Sequence, residues 1–419
     1  ADVEARMGST ASVATTGGVV VDARLQGVMN QATATAEGGA AGLLAGVSIM
    51  LATAKVGGAV IADVDGDVTG SSFITIEAVG RNLAEAHTLA AAFGAFGGGG
   101  TGVLAEVTDQ ADVVASVGDT ASLTTTNTLL VSATGDNDAF AESDLASGGL
   151  VALAGGSLAA RVGGAVIAEM NGDVNDANTV TVQATGNNKA DADALAVSVG
   201  LFGAAAASAV ADVTEHADVQ AKVGSTAQFM VPAANIDVLA TGYNEADASA
   251  NSFSGGVISL SVMLPSADVG GGVLAQFDGD IVDSAAATLD VKALGENFAH
   301  ASVAMGSISL AGGNGAQANA IISNTADVEA LVGSSATIWT TGAANVQALL
   351  QGQQNAATAN AFSVAGGLFT ASIIGTKAQI GGAVVADMDG SVTAGSLLVK
   401  ADGDNTAIAD VVTAGLGAF

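Results

Sequence analysis

The chain has 419 residues, with 41 Asp and Glu against 10 Lys and Arg for a formal charge of −31, 57 Gly, 2 Pro, no Cys, one Trp and one Tyr. It is 50% hydrophobic but only 3% aromatic, so its apolar mass is mostly Ala and Val, too small to fill a thick globular core with layers about 10 Å apart. The charge excludes nucleic acid, whose binding is built on Lys and Arg. The missing Cys exclude disulfides, thiolate metal sites and thiol catalysis, and the high mean hydropathy argues against disorder.

No basic segment precedes an apolar stretch at Ala1, so no signal peptide is read there, and the chain is expected to be processed or cut from something longer. The opening strand, Ala-Asp-Val-x-Ala-x-Met-Gly-x-x-Ala at residues 1–11, returns at 111–121, 217–227 and 326–336 with Val in place of Met. The next apolar stretch, 38–54, is uncharged but broken by Gly, and it has counterparts at 148–160 and 366–376. Recurrence at a fixed phase reads as a buried strand pair and not as a membrane span, which needs about 20 residues. A second marker follows at 56–60, Val-Gly-Gly-Ala-Val, and recurs at 162–166, as Val-Gly-Gly-Gly-Val at 269–273 and as Ile-Gly-Gly-Ala-Val at 380–384.

The two markers divide the chain into four repeats of roughly 108 residues, each of two related halves of about 54. The repeats run 1–110 (halves 1–56 and 57–110), 111–216 (111–162 and 163–216), 217–325 (217–269 and 270–325) and 326–419 (326–380 and 381–419). The last half is short, which suggests a segment of a longer array. A Gly-x-Asn or near equivalent falls once in each half, at Asn30, Asn82, Asn137, Asn188, Asn244, Asn297, Asn355 and Asn405. These are expected to stack as a structural asparagine ladder.

Within a half the period is two, as in Ala190, Ala192, Ala194 and Ala196 with polar residues between them. That alternation puts one face inward only in a strand. An all-β chain of many short strands without linkers fits a tandem-repeat β-solenoid better than a string of small antiparallel domains. Six short strands per half would make two three-sided or three two-sided coils. The rod would then hold roughly 16 to 24 coils and measure roughly 75 to 115 Å.

The motifs Ala-Asp-Val-x-Ala-x-Val-Gly-x-x-Ala, Val-x-Val-x-Ala-x-Gly-x-Asn and Gly-Asp-Val resemble the β-strand repeats of large repetitive secreted bacterial adhesins, the filamentous-haemagglutinin-like exoproteins. The resemblance covers the whole chain. It implies a right-handed parallel β-helix, export to the cell surface, and a role in adhesion or matrix structure. No secretion domain, membrane anchor or receptor-binding module of the kind such proteins carry is read in these residues.

The best chemical candidate is the acidic turn after each Val-Gly-Gly-Ala-Val strand: Asp63, Asp65 and Asp67; Glu169, Asn171 and Asp173; Asp278 and Asp280; Asp387 and Asp389. Alternating oxygen ligands around a Gly turn suit Ca²⁺, but the closing Glu of an EF-hand loop is missing, and Asp-Gly and Asn-Gly also serve simply as turn formers. No other cofactor is indicated. His87, His216 and His300 sit at unmatched repeat positions, and no nucleophile, oxyanion clamp or phosphate cradle can be assembled, so an enzyme is not expected.

Strands apolar on both faces recur in the first half of each repeat, marked by Leu43, Ile49, Leu51, Leu150, Leu153, Ile258, Leu260, Val262, Leu368 and Ile373. They need cover from within the coil or from a second molecule. The expectation is an extracellular structural or adhesive protein, self-associating end to end and laterally or continuing into neighbouring repeats, and not transmembrane. The alternative is a Ca²⁺-dependent surface module, S-layer-like or ice-binding.

Overall fold

A computed structural model describes residues 2–25 and 29–416. The described chain is all β and contains no helix. Eight short strands, one per half, form a parallel sheet in chain order: Val3–Met7, Val60–Val64, Val113–Val117, Val166–Met170, Val219–Val223, Val273–Phe277, Val328–Val332 and Val384–Met388. Val60 lies opposite Val113, Val113 opposite Val166, and Val166 opposite Val219. The hydrogen-bonded neighbour of every residue is therefore its counterpart in the next half. This is a β-solenoid in which each half makes one wide coil, and the eight are called the first to eighth coils below.

That register corrects the expected coil count and rod length. A half is one coil, not two or three, and eight coils at about 4.8 Å make a stack of about 38 Å. The Gly-x-Asn segments, such as Gly135–Asn137 and Gly186–Asn188, lie inside the ladder and do not interrupt it. Asp67–Val107, Ser122–Val162, Thr179–Val213, Asn235–Val269 and Thr288–Ile322 each bend around the coil while staying paired to their neighbours.

Each coil encloses two narrow cores. In the second coil Val60, Ala62, Val64, Ile74 and Ile76 line the first, and Ala84, Ala86, Ala90, Val103 and Ala105 the second. Small side chains suffice because strands of one coil face each other across a thin interior. The chain passes between the two cores at Gly80 and Asn82. A Cβ on Gly80 would lie 2.4 Å from Val113 Cγ2, and the same relationship joins Gly135 to Val166 and Gly186 to Val219 at 2.3 Å. The Gly of Gly-x-Asn is thus a contact point where a valine of the next coil packs against bare backbone.

The asparagine two residues on fills the same waist. Asn137 Nδ2 donates to Gly164 O at 3.2 Å and to Asn188 Oδ1 at 3.0 Å; Asn188 does the same to Ala217 O and Asn244 Oδ1, both at 2.9 Å. The file runs unbroken from Asn30 through Asn82 to Asn405. Asn82, Asn137, Asn188, Asn244 and Asn297 thus bond twice to the following coil, once to its opening backbone and once to its asparagine, and fix its register.

Candidate assembly surface

Two kinds of coil alternate, and a carboxylate explains why. The Asp of Ala-Asp-Val reaches up to the Val-Gly-Gly-Ala segment of the following coil. Asp2 accepts from Ala59 N–H at 3.0 Å, Asp112 from Ala165 at 2.9 Å, Asp218 from Gly272 at 2.8 Å and Asp327 from Ala383 at 2.7 Å. A Cβ on Gly164, Gly271 or Gly382 would press within 2.6 Å of a carbonyl oxygen below it. Sequence reasoning saw both motifs but not their interlock; the fixed offset between them was the available signal.

The acidic turns carry a related stacking. Asp65, Asn171 and Asp278 fold over Gly118, Gly224 and Gly333 of the next coil, where a Cβ would sit about 2 Å from each Oδ1. Asp63 accepts from Ser116 Oγ at 2.7 Å, Asp173 from Gln228 N–H at 3.2 Å, and Asp280 from Thr337 N–H at 2.8 Å. Asn171 Nδ2 donates to Glu169 Oε1 at 3.0 Å, Gln276 Nε2 donates to Asp278 Oδ2 at 2.7 Å, and Asp387 accepts from Met388 N–H at 2.8 Å. Asp67 and Asp389 anchor their turns through backbone N–H groups on Ala11 O and Val332 O. Asp63, Asp173 and Asp280 thus bond to the next coil, whereas Asp278 Oδ1 is buried without a hydrogen-bond partner; among the described residues no three His, Cys, Asp or Glu side chains converge in a geometry that would hold a metal ion.

One flank of the stack is acidic. Asp191 and Asp247 stand opposite each other on adjacent coils, with His300 beyond, its Nδ1 3.2 Å from Asp247 Oδ1. Partial burial, and secondarily the Asp136 charge, pushes the Asp138 carboxyl up to about 6. Asp191 is likewise raised to about 6 by burial and then by Asp247. The hydrogen bond to Asp247 raises His300, against the opposing effect of burial. His87 pairs with Glu142 at 2.9 Å. These are carboxylate and imidazole contacts between coils.

Directly after this acidic strand each coil runs into a tip of a different character. Residues 38–54, 89–105, 145–160, 194–211, 248–267, 301–322 and 356–376, one stretch in each of the first seven coils, contain no Asp, Glu, Lys or Arg. The two-sided strands lie here, and the structure leaves their outer face bare. Leu150, Leu153, Ile258 and Leu260 are about half exposed although coils lie above and below them, and Leu368 is exposed to the same extent. Ile49, Leu51 and Ile373 are more open, Leu43 is 95% exposed, and Val262 is half-buried. Phe93, Phe96 and Phe202 extend the same surface.

The tip is also polar within. Ser198 Oγ donates to Ala152 O at 2.8 Å, Ser261 Oγ to Ser254 Oγ at 3.0 Å, and Thr101 and Ser143 share a 2.7 Å bond. The buried hydroxyls of Ser147, Ser252, Ser259, Ser307 and Ser309 have no partner in the structure. Apolar groups outside and hydroxyls inside invert the usual pattern of a water-facing solenoid. The sequence showed the apolar residues on both faces but not which face stays open. No helix of the described chain is long and apolar enough to cross a membrane. No protein-family model, curated protein or solved structure matches this chain.

Proposed function

We propose that this chain is a structural or adhesive segment of an extracellular surface protein, assembled by coil stacking along the solenoid and by apolar packing at its tip. The right-handed sense of the β-helix, the grouping of coils into four units of about 108 residues, and a non-enzymatic role belong to the same reading. The observation that carries it is the segregation of charge. All 51 Asp, Glu, Lys and Arg residues avoid the tips of seven consecutive coils, and the apolar side chains there point outward. A chain selected only for solubility would not align such a surface.

The groups that join one coil to the next recur on the first and last coils. The file leaves Asn30 Oδ1 at one end and Asn405 Nδ2 at the other without an asparagine partner among the described residues. A Cβ on Gly8 would meet nothing within 4 Å, so the space that Asp65 or Asp278 fills in the interior of the stack is open there. A further coil, from the same polypeptide or from another copy, can dock Asp389 over Gly8 and continue the amide file. Electron microscopy of the purified chain across a concentration series tests the reading. Stacked or laterally joined solenoids are expected; isolated eight-coil particles at every concentration would overturn it.

A further inference from the structure

The first and eighth coils carry complementary charges in the same columns of the ladder. Asp22 and Arg24 pair at 2.8 Å on the first coil, and Lys400 and Asp402 pair at 2.8 Å on the eighth. From Arg24 the column runs through Val79, Thr134, Thr185, Thr241, Leu294 and Leu349 to Asp402. Of its eight residues only Arg24 and Asp402 are charged, and with opposite signs. The neighbouring outward column starts at Asp22 and arrives at Lys400. A third starts at Arg6 and arrives at Asp387. The whole chain has ten Lys and Arg, so three of them in these columns on these two coils is a marked concentration.

Apolar and steric features match as well. Val20 and Leu398 share an outward column whose other members include Thr75, Asp237, Asp290 and Asn345, and both are about half exposed. Leu397 and Val399, also about half exposed, stand in the inward columns of Val19 and Val21. A Cβ on Gly8 would meet nothing within 4 Å, whereas one on Gly118, Gly224 or Gly333 would lie about 2 Å from Oδ1 of Asp65, Asn171 or Asp278 on the preceding coil. The eighth-coil counterpart of those three side chains is Asp389.

We propose that a second copy of this chain stacks head to tail, the eighth coil of one copy against the first coil of the next, in the register of the second-to-third, fourth-to-fifth and sixth-to-seventh steps within the chain. This rests on the assembly reading above and adds its partner and register. Lys400 then faces Asp22, Asp402 faces Arg24 and Asp387 faces Arg6, while Leu398 covers Val20. Asp389 folds over Gly8, and the amide file passes from Asn405 to Asn30. Thr10 takes the place of Thr120 and Thr226, whose hydroxyls donate to Asp65 O at 3.0 Å and Asn171 O at 2.9 Å. A two-fold contact between like ends would leave Gly8 without Asp389 and break the amide file.

In that register the strands between Val384 and Leu416 pair with those between Val3 and Ala41. At about 3.3 Å per residue and about 5 Å for each wall of a coil about 10 Å thick, the contact covers roughly 600 Å² on each copy, or roughly 1,200 Å² in total, enough for a specific interface. Exposed ion pairs add little affinity one by one. Closure of the open core and extension of the ladder supply the attraction, and the charges select the partner face. The charge of −31 opposes stacking only weakly, because copies about 38 Å apart are separated by several Debye lengths at 0.1 M salt. A head-to-tail contact leaves the next face free, so it propagates into filaments.

Sedimentation and electron microscopy of the whole chain should show single-width rods that grow in steps of about 38 Å. Gly8 has no positive φ and open space around it, so Gly8→Val should leave thermal unfolding of the free chain unchanged. In the stack its side chain meets Asp389, and the dissociation constant should rise about tenfold or more. Exchanging charges by Lys400→Asp with Asp402→Lys should weaken stacking likewise, and adding Asp22→Arg with Arg24→Asp should restore it. An equimolar mixture of the Gly8→Val chain and the Lys400→Asp, Asp402→Lys chain should stop at dimers, because each keeps one usable face. Undiminished rods in Gly8→Val, or no restoration in a four-substitution chain that unfolds like the parent, would overturn the proposal. Particles joined only side by side through their tips would overturn it while leaving the assembly reading intact, and isolated particles at every concentration would overturn both.

Discussion

Asp218 Oδ1 accepts the backbone N–H of Gly272 at 2.8 Å, tying the fifth coil to the sixth at the point where the two coil types meet. Burial pushes the Asp218 carboxyl up, against the hydrogen bonds from Gly272 and Gln220 that favour its charged form. The interaction that matters is therefore acceptance of the N–H, not the charge. Asp218→Ala leaves that donor unpaired and should cost about 1–3 kcal/mol. Asp218→Asn keeps an acceptor and removes a partly desolvated charge, so its melting temperature should stay much closer to the parent. Thermal denaturation of both variants at neutral pH checks this, and equal losses would show that the charge itself holds the coils.

The waist makes a sharper test. Gly186→Ala would place a methyl 2.3 Å from Val219 Cγ2 and 3.4 Å from Val166 Cγ2. Valine is stiff about χ1 and both valines are fully buried, so the substitution should destabilise by about 1–3 kcal/mol. Val219→Ala in the same chain removes the obstructing methyls, and the double variant should lose less than the sum of the two single losses. Additive losses in a denaturant-unfolding cycle would contradict the packing described here.

Much of this architecture was legible in the sequence because its signals are periodic. Alternation in residues 190–196 identified strand, and the spacing of the eight Asn marked equivalent positions in successive coils. What was misread was the meaning of Gly. Gly80 and Gly135 resemble turn residues, yet they lie inside continuous ladders and are glycine because a valine one coil away occupies their Cβ space. That contact spans a distant part of the chain, and no local pattern reports it. The same blindness hid the Asp112 bond to Ala165 and the orientation of the tip. Leu153 and Ala152 are both apolar, and only the closed coil reveals that Ala152 is buried while Leu153 faces out.

The acidic flank predicts a direction of pH dependence. Burial pushes the Asp138 and Asp191 carboxyls up to about 6, against 3.8 for a free aspartate, so the folded chain holds protons that the unfolded chain has released. A carboxyl raised in this way contributes its full stabilising effect below about 3.8 and loses it as pH rises through about 6. His300, also raised, acts in the same sense, favouring the folded state while protonated. Stability should therefore increase as pH falls from 7.5 to 5.5. Asp191→Asn should flatten that slope, and a slope of opposite sign in equilibrium unfolding would refute the assignment.

Calcium offers the last discrimination. A cation bound to the folded chain alone raises its stability in proportion to the logarithm of its concentration. Here Asp173 and Asp280 accept N–H groups of the next coil, whereas Asp278 Oδ1 lies buried over Gly333 with no hydrogen-bond partner. Binding would have to withdraw Asp173 and Asp280 from those contacts. With a formal charge of −31, any salt stabilises the chain by screening, so the comparison must be made between Ca²⁺ and Mg²⁺ at matched ionic strength. The expected outcome is the same melting temperature in both, unchanged by chelator once ionic strength is restored. A gain specific to Ca²⁺ that disappears in Asp278→Asn would instead show that the turn of the sixth coil releases its inter-coil contacts to take the ion.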